Sequence, residues 1–487
     1  MSEPEVVIVG GGIAGLAAAF FLRGTPCRVT VLDGAPRLGG KLAVSDVAGV
    51  AVDEGAEALL TRRPEGTGLI GAVGLSAQLV WPGTTAAWIW SRGEMHPLPR
   101  RQVMGVPADL DELARSGVVS AGGVARARRD LDLPATERGD DVPVAEYVAG
   151  RFGQEVVDRL VDPLLGGVYA GRSEDLSFEA TLPALAGESR LHASLAEAAG
   201  VLVRDAQGTG PPPAGRGSAQ PVFTTLAGGL GTLPAAVAAA SGATVRTSAT
   251  VRGLSRTATG WRLTVGSAHD PEYLAADAVV LAAPAAPSAR LFAGVPGASA
   301  AAVALREIRY ASMAIVTLAY PAAAFPCPPE GSGYLVPAVD DRPVKAVTFS
   351  SVKWPHLREG GADLVIVRCS LGRVGEEALL QTDDADLAAV AGRDLAAATG
   401  VRGAPAASRV TRWGGALPQY TVGHLGRVAS IRAAVARQPG LAVCGAAYDG
   451  IGIPACVATA RTAASHIRAY LGQRDAVPAA GHNGGQW

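Results

Sequence analysis

The sequence predicts an α/β fold with a buried parallel sheet at its centre, and three observations carry that expectation. Residues 5–9 (EVVIV) are an apolar, β-branched run, the pattern of a strand buried on both faces. The run passes into Gly10-Gly11-Gly12-Ile13-Ala14-Gly15 and then into residues 16–22, strong helix formers without a breaker. A second strand pattern, residues 27–32 (CRVTVL), ends at Asp33. Strand, glycine turn, helix, strand and terminal acid together make a βαβ unit.

Each glycine has a task in such a unit. Gly10 makes the tight strand-to-helix turn, Gly12 lets backbone approach a pyrophosphate, and Gly15 lets helix and strand pack closely. The helix start offers free N–H groups and a positive dipole end to phosphates. Asp33 stands at the spacing from which a carboxylate accepts hydrogen bonds from a ribose. A glycine-rich turn in some other α/β fold would not need that acid, so dinucleotide binding is predicted. Arg37-Leu38-Gly39-Gly40-Lys41 follows, and would lay a second loop over the phosphates with Lys41 as counter-charge. A plain nicotinamide dehydrogenase needs no such extension. Lysine is scarce in this chain, at positions 41, 345 and 353 only, so a lysine beside two glycines is weighted above an ordinary solvated one.

With 487 residues the chain is long enough for two or three domains. Its net charge of −1 gives no footing for a nucleic-acid partner or a polybasic membrane anchor. No uncharged apolar run reaches the ~18 residues of a spanning helix. The N-terminus enters the nucleotide fold at once, which leaves no room for a signal peptide and predicts a cytoplasmic protein. Cys27, Cys327, Cys369, Cys444 and Cys456 are scattered without a CxxC, so they read as small residues in a reducing compartment. No histidine spacing suggests a metal site, and no GxSxG supplies a nucleophile.

Along the chain, residues 53–64 read as a polar, glycine-containing turn leading to Arg62 and Arg63. Residues 87–98 read as a hairpin turning at 91–94. Residues ~105–200 are mostly helical; they are also the stretch open to peripheral bilayer contact, although their mixed charges favour water. Residues 158–171 read as a helix broken at Pro163 and followed by a glycine-rich apolar loop. Residues 205–220 read as a linker, and 225–233 as a loop returning to a helix. Strands are expected at 243–247, 261–265 and 278–284, with Val251 at the rim of that group. A sheet-based second domain follows at ~290–405 with a helix at 384–398. The chain closes with a strand at 441–445, a second glycine-rich turn through Tyr448-Asp449-Gly450-Ile451-Gly452-Ile453-Pro454, and a helix at about 455–471 before a frayed tail.

These stretches resemble the FAD-dependent porphyrinogen oxidases among the amine-oxidase-like flavoproteins, and are most similar to the coproporphyrinogen III oxidases of Gram-positive bacteria. GGGIAG and LGGK are shared widely across that superfamily. Met104-Gly105-Val106-Pro107, DPLLGGVYAG (162–171), KWPH (353–356), TRWGGALPQYTVGH (411–424) and GAAYDGIGIPAC (445–456) are specific in their order and spacing. The resemblance implies a Rossmann-like FAD-binding domain of the glutathione-reductase and amine-oxidase type, a sheet-based substrate domain and a helical insertion. The expected spans are 1–79, 215–288 and 408–472 for FAD; 80–95, 200–214 and 289–407 for substrate; 96–199 for the helical part; and 473–487 for the tail. It implies FAD contacts at Gly10, Gly11, Gly12, Ile13, Ala14, Gly15, Asp33, Gly34, Lys41, Gly55, Ala56, Glu57, Ala58, Val251, Trp413, Ile451, Gly452 and Ile453. Departures are modest: Asp33 stands where glutamate is usual, Arg172 where an acid is common, and Ala455 where aspartate is common.

The implied reaction is the oxygen-dependent, six-electron oxidation of coproporphyrinogen III to coproporphyrin III in heme biosynthesis, releasing H2O2, with hand-over of product to a ferrochelatase. A porphyrinogen is an apolar macrocycle with propionates on its rim, so its site should be an apolar cavity with cations at the mouth. Candidate cations are Arg62, Arg63, Arg92, Arg100, Arg101 and Lys353; candidate walls are Leu164, Leu165, Val168, Tyr169 and Trp354. The flavin carries the redox chemistry, so no dedicated catalytic side chain is expected. Protoporphyrinogen IX is the alternative substrate. An amine oxidase or carotenoid desaturase would lack the specific motifs, and a non-enzymatic escort protein would not need the intact glycine turns.

Overall fold

The computed structural model describes residues 3–136, 139–207, 221–359 and 363–476. Its centre is a five-stranded sheet, wholly parallel, in the order Thr244–Arg246, Arg28–Leu32, Glu5–Val9, Ala278–Leu281, Leu441–Val443. Chain segments from the beginning, the middle and the end therefore lie side by side. Val6 and Ile8 face one layer, Val7 and Val9 the other, and all four are buried, which is why the run reads as continuously apolar. On the first face pack the helices Ile13–Leu22, Leu233–Ser241 and Ile453–Ala476. Ala14, Ala17 and Ala18 on one helix and Ala460, Ala463 and Ala464 on another belong to the same buried cluster, and side chains this small let helices lie close. On the second face lie a three-stranded antiparallel sheet and the helices Ala285–Phe292, Ser299–Glu307 and His424–Ala436.

A seven-stranded sheet forms the second layer system, in the order Ala407–Pro418, Tyr310–Pro321, Leu364–Leu371, Val344–Phe349, Gly333–Leu335, Trp88–Ser91, Glu94–Pro97. The helix Asp384–Thr399 covers one face through Leu387, Ala391 and Leu395. The expected hairpin is present as Trp88–Ser91 paired antiparallel with Glu94–Pro97. Ala407–Pro418, whose residues from 408 on the sequence reading grouped with the nucleotide-binding part, instead pairs with Tyr310–Pro321 at the edge of this sheet. Among the described residues no helix is long and apolar enough to cross a membrane.

The helical insertion has its own core of Leu113, Val148, Phe152, Leu160, Leu185 and their neighbours. The helix Leu195–Gln207 packs into it through Ala198 and Ala199, so residues 200–207 sit with the helices and not with the substrate sheet. Residues 205–207, expected to open a linker, belong to that helix, and positions 208–220 of the expected linker lie outside the described residues. Pro163 breaks nothing. A π-helical turn, Val157–Val161, runs directly into the α-helix Asp162–Tyr169, so Pro163 lies within a continuous run of helix just after the π turn. Gly166 and Gly167 are thus helical, and the chain turns at Ala170 in the left-handed region. The last helix begins at Ile453 and continues through Ala476, beyond the tail expected from 472; residues 477–487 lie outside the described ones.

One ion pair organises the insertion. Arg151 is 2% exposed and donates to the Asp130 carboxylate, to Thr136 and to the Pro134, Asp130 and Ala193 carbonyls. Asp130 in turn accepts from Ser194 Oγ and the Leu195 and Ala196 amides, so it fixes the start of Leu195–Gln207. Removing one partner leaves the other charge buried and unpaired. Arg151→Met is therefore expected to lower stability by about 3–5 kcal/mol, read as a fall in the urea midpoint. A midpoint equal to that of the unaltered chain would refute it.

Candidate functional site

The site lies where the parallel strands end. Gly10 has φ +114, and a Cβ there would meet the Ala282 carbonyl oxygen at 2.8 Å. A Cβ on Gly15 would lie 1.9 Å from the Gly10 oxygen, so only glycine lets helix Ile13–Leu22 leave the strand at this angle. Above Gly12 there is open space within 4 Å. No side chain caps the helix that starts at Ile13, which leaves its first-turn amides to an anion. The Asp33 carboxylate accepts from the Gly11 amide at 2.6 Å and the Ala35 amide at 2.7 Å, tying the second strand's end to the turn. Gly34 packs beside Thr250, which brings Val251 to the same rim.

Residues 37–41 fold over this turn. Gly39 N–H donates to the Gly11 carbonyl at 2.8 Å, and Arg37 locks the loop by donating to the Leu38, Gly40 and Leu42 carbonyls. The Lys41 ammonium lies 5.8 Å from the centre of the Tyr310 ring, and burial pulls its pKa below the ordinary lysine value. Among the described residues no carboxylate pairs with it. Gly55 presses on Lys41, with room for a Cβ excluded by the Lys41 oxygen at 1.8 Å, and Trp413 Nε1 donates to the Glu54 carbonyl at 2.9 Å.

The second strand–turn–helix meets the first. A Cβ on Gly445 would come within 3.8 Å of the Ala14 Cβ, and Ile453 shares a core with Ile8 and Ala14. Gly450, at φ +137, turns the chain into the helix Ile453–Ala476. Ile451, Gly452 and Ile453 therefore stand at the start of a helix that packs in the same core as the first strand and helix. The open cradle at Gly12, the uncapped amides, the unpaired Lys41 and the acid at Asp33 fit a dinucleotide carrying a pyrophosphate and a ribose.

The substrate candidates divide. Glu57 is held between two cations: Lys353 Nζ donates to it at 2.7 Å, and Arg368 donates to its other oxygen and to the Gly55 carbonyl at 2.6 Å. Burial alone would raise the Glu57 pKa, but the two cations outweigh it and hold the carboxyl at about 2. Lys353 is thus engaged inside the protein and is not a cation at a pocket mouth. Leu165 (0% exposed) belongs to the core of the helical insertion, and Trp354 (2%) is buried against a small cavity beside Glu57 and Arg368. Tyr169 is also buried, its ring against Tyr420. Leu164 is half-buried and Val168 is 41% exposed. Among the cations, Arg63 pairs with Glu65, Arg92 with Glu155 and Arg101 with Asp109. Arg62 and Arg100 are exposed and have no acidic partner among the described residues. A small cavity of about 20 Å³, lined by Asp53, Glu57, Ser350, Trp354, His356 and Arg368, is the size of a single water. Arg368, Tyr310, Tyr420 and His424 were not singled out from sequence. The last two lie in the 411–424 motif, whose letters were visible but whose contacts were not.

The family model described as flavin containing amine oxidoreductase matches residues 13–468. A protein named coproporphyrinogen III oxidase from Bacillus subtilis is 32% identical over 96% of this chain and 99% of its own length. One of the same name from Mycobacterium tuberculosis is 39% identical over 96% and 98%. A protoporphyrinogen oxidase from Bos taurus is 29% identical over 95% and 98%. A solved Exiguobacterium structure assigned as a protoporphyrinogen oxidase superposes with a TM-score of 0.82 at 31% identity, covering 96% of this chain and 99% of that one.

His424 gives the site an acid sensitivity. It is fully buried, and burial, aided by Arg427, holds its pKa at about 4 against the Tyr448 carbonyl and the carboxylates of Asp449 and Asp141. Below about pH 6.5 the unfolded chain takes up a proton that the folded one refuses, so this group's contribution to stability falls between pH 6.5 and 4, by up to about 1.4 kcal/mol per pH unit. Asp53, raised to about 6 by burial, acts in the opposite sense over part of that window. The measurement is consequently a difference: the melting temperature of the unaltered chain should fall further from pH 7 to pH 5 than that of His424→Gln. Equal falls would refute the assignment.

Proposed function

The chain belongs to the flavin-containing amine oxidoreductases, and from that premise we propose that it oxidises coproporphyrinogen III to coproporphyrin III in heme biosynthesis, with O2 as the acceptor and H2O2 released. It is an FAD-dependent oxidoreductase. What supports the substrate is near full-length similarity to relatives carrying the name coproporphyrinogen III oxidase, on a fold that brings two glycine turns to one edge of a parallel sheet. When bound, FAD supplies the redox chemistry, accepting hydride from the macrocycle.

The chain's own residues would bind, orient and shield. The amides of Gly12, Ile13 and Ala14 would meet the pyrophosphate, with Lys41 as counter-charge, and Asp33 would meet a ribose. Glycines and small residues at Gly55, Ala56 and Ala58 would let backbone lie against the ring system beside Trp413, and the helix start at Ile451, Gly452 and Ile453 would favour negative charge there. Glu57 is not available as a base, because two cations hold it ionised and occupied. No strong base is required: aromatisation of the product drives the reaction, and the pyrrole proton can pass to water. Arg62 and Arg100 are the cations left for propionates, and Leu164 and Val168 the accessible apolar surface. Hand-over of product to a ferrochelatase, in the cytoplasm or at the periphery of a membrane, completes the reading.

The similarity to the Bos taurus protein favours protoporphyrinogen IX as a second reading. Purified protein should be yellow, with a flavin absorbance, and in air should generate porphyrin fluorescence faster from coproporphyrinogen III than from protoporphyrinogen IX. The reverse preference would establish the second reading; a colourless chain that gains no absorbance with FAD would defeat both. Arg62→Ala is expected to raise KM for coproporphyrinogen III about tenfold, as loss of one charge-assisted contact does, with kcat nearly unchanged.

A further inference from the structure

The motif at 411–424 spans two separate parts of the site, and its role is not absorbed by the chemistry above. At its start, Trp413 Nε1 donates to the Glu54 carbonyl at 2.9 Å and Thr411 Oγ1 to the Glu54 carboxylate at 2.8 Å. At its end, the Tyr420 hydroxyl donates to the Ala446 carbonyl at 2.6 Å and accepts from the Gly450 amide at 2.7 Å. His424 stacks on the Tyr420 ring, centroids 3.9 Å apart and planes at 14°, and its Nε2 lies 3.2 Å from the Tyr448 carbonyl. Three backbone groups within the five residues 446–450 are therefore held by two side chains, both of them buried.

The turn needs this help. It lies between the strand Leu441–Val443 and the helix Ile453–Ala476, so neither ladder bonds nor helix bonds reach it, yet Ala447 and Tyr448 are buried. Buried backbone groups left without partners are costly. The Gly450 conformation, at φ +137, also turns the chain into the helix and so sets the direction in which the amides of 451–453 point. We propose that Tyr420 is a positioning residue for the cofactor: its hydroxyl, braced by His424, fixes the 446–450 turn and through it the helix start that faces the flavin. The inference rests on the FAD reading above. The ring of Tyr420 packs and the hydroxyl positions, so the two roles separate in one substitution.

Tyr420→Phe keeps the ring and removes both hydrogen bonds. The full-length variant should retain a cooperative melt, bind FAD about tenfold more weakly as two lost hydrogen bonds predict, and show a lower flavin midpoint potential. His424→Gln keeps the hydroxyl and removes the stack, and should weaken FAD binding in the same direction; it supplies the reading if Tyr420→Phe is recovered only as insoluble protein. Unaltered FAD affinity and midpoint potential in Tyr420→Phe, or in His424→Gln where that variant stands in, would overturn the inference while leaving the FAD reading intact. A wild-type chain that binds no FAD would overturn both.

Discussion

Everything in this molecule depends on one pairing: residues Val6–Val9 in parallel register with Ala278–Leu281, which in turn pair with Leu441–Val443. Parallel strands cannot be joined by short turns, so each neighbour must arrive from a distant part of the chain. Their common direction puts the turn after Glu5–Val9 and the turn after Leu441–Val443 at the same edge. Gly445, after the last strand, then comes close to Ala14 in the first helix, with open space above Gly12 beside them. A glycine at position 15 is obligatory because backbone occupies the space a methyl group would need. The site is thus a consequence of strand direction and of backbone-to-backbone contact, before any side chain is considered.

The buried charges obey a second constraint. A carboxylate taken out of water must be paired, since desolvation costs several kcal/mol per ion. Glu57 meets that requirement with Lys353 and Arg368, from a short helix beside the second sheet and from a strand within it, and Arg368 also reaches the Gly55 carbonyl. The result is a tie between the sheet that carries residues 364–371 and the segment that lies against Lys41. It also withdraws Lys353 from any encounter with a carboxylate ligand. Lys353 was offered by the sequence as a cation for propionates, and in the structure it pairs with Glu57.

How much of this was legible follows from the range over which each feature is decided. The first glycine turn, Asp33, the loop at 37–41, the hairpin at Trp88–Ser91 and the buried strand at Ala278–Leu281 are specified by neighbours a few residues away, and sequence reading found them. Pro163 does not end the helix as its residue type suggests: the chain passes from the π-helical turn Val157–Val161 into Asp162–Tyr169 without a break, which no local pattern announces. Leu165, a candidate cavity wall, lies in the core of the helical insertion; burial in a core and exposure in a pocket select the same residue types. Arg368 gave no signal at all, because its partner lies 311 positions away.

The 411–424 motif shows why some letters identify this chain better than the glycine turns do. GxGxxG recurs wherever backbone must approach a phosphate, so it marks a class of ligand. Trp413, Tyr420 and His424 act instead on main-chain groups, at Glu54, Ala446, Gly450 and Tyr448. A side chain that bonds to backbone is insensitive to which residues occupy the target segment, but it demands a fixed distance between the segments it joins. That distance is a property of the whole fold: an edge strand of one sheet, a crossing, and a helix packed under the other. Residue type and spacing are then constrained together across fourteen positions, 411–424, which a local turn never imposes.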